Sequence, residues 1–83
     1  MALSVLYFAS LREQMGGASQ RVDCIEGESI AALAKRLASS RPDGGAALLE
    51  PSVRAARNQQ LADRTELLCD GDEVAFFPPV TGG

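Results

Sequence analysis

The chain has 83 residues, a net charge of −3 and no histidine. This length fits one domain with a single modest hydrophobic core. The acidic balance argues against a nucleic-acid partner, and the lack of histidine excludes Ser-His-Asp, Cys-His and histidine-containing zinc sites within the chain. No apolar run approaches the roughly 20 residues of a membrane span. The first residues lack the basic segment of a signal peptide, so we expect a cytoplasmic protein without membrane association.

Residues 3–9 form a β-prone run that predicts a first strand with apolar residues on both faces. The two faces are formed by alternate residues: Leu3, Val5 and Tyr7 on one, Ser4, Leu6 and Phe8 on the other. Residues 11–15 predict a short helical turn that ends at Gly16-Gly17, and residues 20–25 predict a second strand. The glycine pair favours an antiparallel reversal between the two strands.

The clearest helix is predicted to begin after Ser29, whose hydroxyl can accept hydrogen bonds from the first helical turn. One buried helix face, at the spacing i, i+3, i+4 and i+7, is formed by Ile30, Leu33, Ala34 and Leu37. The sequence Arg-Pro-Asp-Gly-Gly at residues 41–45 ends this helix.

The second half of the chain predicts shorter elements: a helical turn at 46–50, a strand at 53–57 and a turn at 58–60. Residues 61–68 are ambiguous between strand and loop, and Leu67 and Leu68 are expected to return to the core. A turn at residues 70–72 precedes the last strand, at residues 73–77. The proline pair at 78 and 79 cannot continue a central strand.

These elements predict an α+β fold in which a mixed sheet of four or five strands packs on one main helix. If the first and last strands are neighbours, the architecture is a ubiquitin-like β-grasp. Residues 1–83 then form a single domain, with 78–83 as an extended functional tail.

Two smaller sets of residues have simple structural interpretations. Arg54, Arg57 and Arg64 form a weak basic cluster, which we interpret as a solvated face. Cys24 and Cys69 lie in apolar, strand-like surroundings, so we expect buried, unreactive thiols rather than a redox pair.

The ending FFPPVTGG predicts a long, unobstructed tail. Prolines stiffen its base, Gly82 and Gly83 leave its tip without side chains, and residues 78–83 could span roughly 20 Å when extended. The α-carboxylate expected at Gly83 is ionised and unreactive unless another enzyme activates it. The tail therefore suits a group that is carried and activated elsewhere, although composition alone equally allows an idle, flexible terminus.

Residues 70–83, DGDEVAFFPPVTGG, resemble the C-terminal signature of the molybdopterin synthase small subunit family. The opening VLYFA, the LRE at residues 11–13 and the helix at 29–37 are also similar to that family, while residues 38–64 match loosely. The resemblance implies the β-grasp fold and a heterotetramer of two small subunits flanking a dimer of large subunits.

The resemblance also implies a reaction sequence at the tail. An E1-like adenylating enzyme activates Gly83 with ATP, and a sulfur-transfer step then makes a thiocarboxylate. The tail enters the large subunit's active site and donates sulfur to cyclic pyranopterin monophosphate (precursor Z), which becomes molybdopterin. Gly83 would bear the sulfur and Gly82 would provide clearance, while this chain itself binds no cofactor or metal.

Phe8 and Phe77 are predicted to point outward near the base of the tail. With Pro78, Pro79, Val80 and Thr81 they are the expected contacts to the large subunit, unless the two rings only cap the sheet edge. Three other functions remain open: a sulfur carrier for thiamine or cysteine synthesis, a ubiquitin-like protein modifier, and a binding module with an idle tail.

Overall fold

The computed structural model describes residues 1–78, which form a five-stranded sheet and one main helix. The strands are β1 (Ala2–Tyr7), β2 (Ser19–Asp23), β3 (Arg54–Arg57), β4 (Gln60–Ala62) and β5 (Glu73–Phe77). The helices are α1 (Ser10–Met15), α2 (Ile30–Ser39) and a short 3₁₀ helix (Gly45–Leu49). None of the helices within this described part of the chain is long and apolar enough to cross a membrane.

The first and last strands pair in parallel at the centre of the sheet, whose order is β2-β1-β5-β3-β4. The other three strand pairs are antiparallel. A parallel pair needs a crossover connection, and α2 lies within that connection. The predicted α+β fold of the β-grasp type is confirmed, with five strands.

α2 begins as the sequence predicts, because the Ser29 hydroxyl accepts a hydrogen bond from the Ala32 N–H at 3.1 Å. All four residues of its predicted apolar face are buried in the core. They pack against the inner face of the sheet, where the rings of Tyr7 and Phe76 stack with centroids 6.3 Å apart. Burial raises the pKa of Tyr7 to about 12, and its hydroxyl donates to Gln20 at 3.0 Å.

The structure departs from the sequence prediction after β3. The turn is shorter than predicted, because only Asn58 and Gln59 have positive φ and β4 already begins at Gln60. Leu68 is buried as expected, but the prediction that Leu67 also returns to the core is wrong: its side chain is 57% exposed. The Leu67 backbone bridges Ser29, and alternation from the buried Leu68 turns the Leu67 side chain outward.

The buried carboxylate of Asp72 connects the β3–β4 hairpin to the turn before β5. Its oxygens accept hydrogen bonds from Arg57 Nε at 2.7 Å, from the Cys69 N–H at 2.8 Å and from Asn58 Nδ2 at 3.0 Å. Burial by itself raises the pKa of Asp72, but the hydrogen bonds from Asn58, Cys69 and Arg57 outweigh burial and lower it below its ordinary value.

The three arginines interpreted as one solvated face have three separate environments. Arg57 pairs with Asp72 and also with Glu66 at 3.2 Å. Arg64 donates to the backbone oxygens of Leu48 and Val53, which holds the segment after the 3₁₀ helix against β3. Only Arg54 is exposed. The interpretation therefore holds for Arg54 and is wrong for the other two.

We expect Asp72→Ala to lower the free energy of unfolding by about 1–3 kcal/mol at neutral pH, because three donors lose their acceptor. The pKa of Asp72 is lower in the folded chain than its ordinary value of 3.8. Its stabilisation is therefore complete above about pH 4 and is lost as the pH falls through the folded value. Urea unfolding at neutral and acidic pH, with the exposed Asp43→Ala as control, measures this. An equal loss at both pH values would contradict the prediction.

Candidate functional site

The point where the tail leaves the sheet is fixed by its two neighbouring strands. Phe77 ends β5 opposite Arg54 of β3, and the Phe8 N–H, just after β1, donates to the Phe76 oxygen at 3.1 Å. Pro78 lacks an N–H and cannot continue the ladder. On the other side, the Val53 N–H donates to the Glu50 oxygen at 3.0 Å in a turn directly before β3. The tail therefore starts from a defined position.

The face of the sheet opposite α2 carries an apolar surface beside this point. The strand registers place Leu6, Ala75, Ala56 and Leu61 in one row across β1, β5, β3 and β4. Leu61 is 68% exposed, whereas Ala75, between Leu6 and Ala56 in this row, is only 9% exposed. We define the tail-root patch as Leu6, Phe8, Ala56, Leu61, Ala75 and Phe77.

Phe8 and Phe77 lie where alternation predicts, at the tail end of this face. Phe8 is 49% exposed and Phe77 is partly exposed. Their position agrees with the sequence, while their contact with a partner stays a prediction. Leu61 was missed, because it lies in the segment left ambiguous; the pairing of β4 with β3 is what turns it onto the patch.

The backbone around Phe8 is held firmly. Besides the bond from its N–H to β5, its oxygen accepts from the Leu11 N–H at 3.1 Å, in the first turn of α1. Ala9 follows with φ 54° and ψ −131°, a conformation that glycine adopts far more easily than alanine. Such strain persists only where surrounding contacts impose it, and it sits here next to the exposed ring of the tail-root patch.

The remaining candidate residues of the tail lie outside the described residues. These are Pro79, Val80, Thr81, Gly82 and Gly83. Pro78 is described and is partly exposed. The roles expected for all six stay predictions.

The expectation of two buried cysteines is wrong for Cys69, which is exposed, and Cys24 is only partly buried. Cys69 lies in the turn before Asp72, where its backbone rather than its side chain is engaged. Both cysteines line a cleft of about 500 Å³ at the other end of β5 from the tail. Burial, followed by the charge of Asp70, raises the pKa of Cys24, which opposes thiolate reactivity. Within residues 1–78 no cluster of three metal-ligating side chains occurs.

All side chains of the tail-root patch are apolar, so the patch can bind another protein but cannot catalyse a reaction. We expect Leu61→Gln to change the free energy of unfolding by less than about 0.5 kcal/mol, because the side chain is mostly solvated. Leu33→Ala, in the buried face of α2, should cost about 2–5 kcal/mol. Thermal or urea unfolding measures both variants. A large loss for Leu61→Gln would mean that the patch belongs to the core.

Comparison with known proteins agrees with this architecture. The chain is 41% identical to the molybdopterin synthase sulfur carrier subunit of Escherichia coli, with 98% of this chain and 99% of the relative covered. It is 37% identical to small archaeal modifier protein 1 of Haloferax volcanii, with 92% and 94% covered.

Solved structures show the same fold. The crystal structure of SAMP1 from Haloferax volcanii superimposes with a TM-score of 0.79 and 28% identity over 100% of both chains. A chain in the complex of subunits 1 and 2 of molybdopterin-converting factor from Helicobacter pylori gives a TM-score of 0.67 at 21% identity, again over 100% of both. The latter likeness is one of fold alone.

The resemblance to molybdopterin synthase small subunits is thus confirmed over nearly the whole chain. The family model described as ThiS matches residues 5–83, so the chain belongs to the ThiS family.

Proposed function

We propose that this chain is the sulfur carrier subunit of a molybdopterin synthase. The observation that carries the proposal is the full-length similarity to subunits of that name, which includes the match of the family model through Gly83. The fixed starting point of the tail beside an exposed apolar patch supports it, because a carrier must present its end to other proteins.

The chemistry proposed for Gly83 proceeds in three steps. Its carboxylate attacks the α-phosphorus of ATP on an E1-like partner, and pyrophosphate leaves to give an acyl-adenylate. A sulfur donor then displaces AMP and leaves a thiocarboxylate. In the large subunit, this sulfur forms a bond to carbon of cyclic pyranopterin monophosphate, and water cleaves the bond between the Gly83 acyl carbon and sulfur, which restores the carboxylate. This chain contributes the carried group, and Gly82 contributes clearance, while ATP and the pterin are bound by the partners.

The tail-root patch supplies the binding energy that the tail lacks. Ordering the four residues 80–83 in a channel costs roughly 1–2 kcal/mol of backbone entropy each. Complete burial of a leucine or phenylalanine side chain returns about 1.5–3 kcal/mol. Contacts by the exposed parts of Phe8, Leu61 and Phe77, followed by Pro78 and the next three tail residues, would therefore offset part of the cost of ordering the tail.

A ubiquitin-like protein modifier is the second candidate, favoured by the similarity to small archaeal modifier protein 1. It predicts Gly83 joined through an isopeptide bond to lysines of other proteins. A carrier for thiamine or cysteine synthesis is less consistent with the Phe-Phe-Pro-Pro segment at residues 76–79. Identifying the protein that the chain binds in a pull-down would distinguish such a carrier from a molybdopterin synthase subunit.

Incubation with an adenylating enzyme, ATP and a sulfur source should exchange one oxygen for sulfur at Gly83. Intact-mass analysis detects the exchange, and fragmentation must locate it because oxidation of Met1 or Met15 gives nearly the same mass change. The chain lacking Gly83 is the control. An unmodified Gly83, with an enzyme that is active on a known carrier, would remove the proposal, and lysine adducts in a lysate would favour the modifier.

Leu61→Gln should weaken binding to the large subunit by about tenfold or more, since a largely exposed leucine no longer gains its burial. Leu67→Gln is the matched control, because Leu67 is similarly exposed but lies outside the tail-root patch. Calorimetry with the purified large subunit measures both affinities. Equal weakening, or none, would show that the patch is not the docking surface.

A further inference from the structure

Along the strands, the outer face of the sheet changes from a charged end, remote from the tail, to a mainly apolar end next to the tail. At the end remote from the tail, the outward strand residues include Arg21, Glu73 and Asp23. At the tail end they are the apolar residues of the patch, Ser19 beside Leu6, and one charged residue, Arg54, which is in register with Phe77. Arg54 is therefore a single cation set in the surface that we propose for docking.

The side chain of Arg54 differs in its surroundings from those of Arg57 and Arg64, the other two arginines of this segment. The guanidinium groups of Arg57 and Arg64 are engaged by carboxylates and by backbone oxygens. The guanidinium of Arg54 has no hydrogen bond or ion pair with any residue from 1 to 78, and the residue is exposed. Its donors are thus available to a ligand outside this part of the chain.

A protein that covers the tail-root patch must also remove water from Arg54. Burying an unpaired guanidinium is costly, and a facing carboxylate can compensate through two parallel hydrogen bonds. Because the chain has a net charge of −3, its long-range field does not attract an acidic partner, so recognition of a carboxylate by Arg54 must be local.

We propose that Arg54 is a specificity-determining contact, which pairs with a carboxylate side chain on the molybdopterin synthase large subunit at the base of the tail. This inference rests on the proposed function. The carboxylate belongs to the partner rather than to the C-terminus of this chain.

Calorimetry with the large subunit tests the contact. Arg54→Ala should weaken binding by about 30-fold or more, and Arg54→Lys should restore only part of the loss, because lysine keeps the charge without the planar pair of donors. Arg21→Ala, an equally exposed arginine at the far end of the same face, should change the dissociation constant by less than about twofold. Binding by Arg54→Ala within about twofold of the wild type would overturn the inference.

The same measurement on chains whose Gly83 carboxylate is converted to an amide identifies the source of the carboxylate. If the partner supplies it, Arg54→Ala weakens the amidated chain by the same factor. Loss of the effect would mean that Arg54 pairs with the chain's own terminus, which overturns the inference. If the wild-type chain acquires sulfur and the Arg54→Ala variant binds the large subunit as tightly as the wild type, only this contact is overturned. If the wild-type chain neither acquires sulfur nor binds the large subunit, the proposed function is overturned together with the Arg54 contact.

Discussion

The parallel pairing of β1 with β5 is the constraint on which the rest of the structure depends. It brings the two ends of the described chain to the centre of one sheet and requires a crossover, in which α2 covers one face. Because β5 is flanked on both sides, it is paired with β1 through Phe76 and with β3 through Phe77, directly before the proline. A tail that starts from a central strand is therefore directed by the whole sheet, rather than by a loose edge.

The same arrangement explains why apolar residues occur on both faces of β1. The inner set, which includes Val5 and Tyr7, is buried under α2, and this burial fixes the register, since a slip by one residue would expose it. Within residues 1–78, no helix covers the outer set. Its exposed member Phe8 and, on the same face, Leu61 add little to folding, and their position at the tail end is consistent with the docking surface that we propose.

The parts of the fold that sequence predicted are those determined by local patterns. α2 has a capping serine and a complete apolar face within ten residues, and β5 lies between a turn signal and prolines. β4, Leu67 and Cys69 could not be predicted in this way. Three-residue β4 exists because β3 offers it a partner. Leu67 turns outward where its backbone bridges Ser29, which is distant in sequence, and Cys69 is exposed in a turn whose backbone N–H is bound by the Asp72 carboxylate.

The arginines show the same limit at the site itself. Arg54 and Arg57 are three positions apart in one strand, and an odd separation places them on opposite faces. Arg57 consequently meets Asp72 and Glu66 and stabilises the fold, whereas Arg54 lies beside Phe77 in the open face. Arg54 and Arg57 have the same charge and residue type, so the sequence alone places both in one basic cluster. Only the register separates the arginine that the fold uses from the one available to a partner, and a search for functional residues in such small sheets must therefore begin from strand pairing.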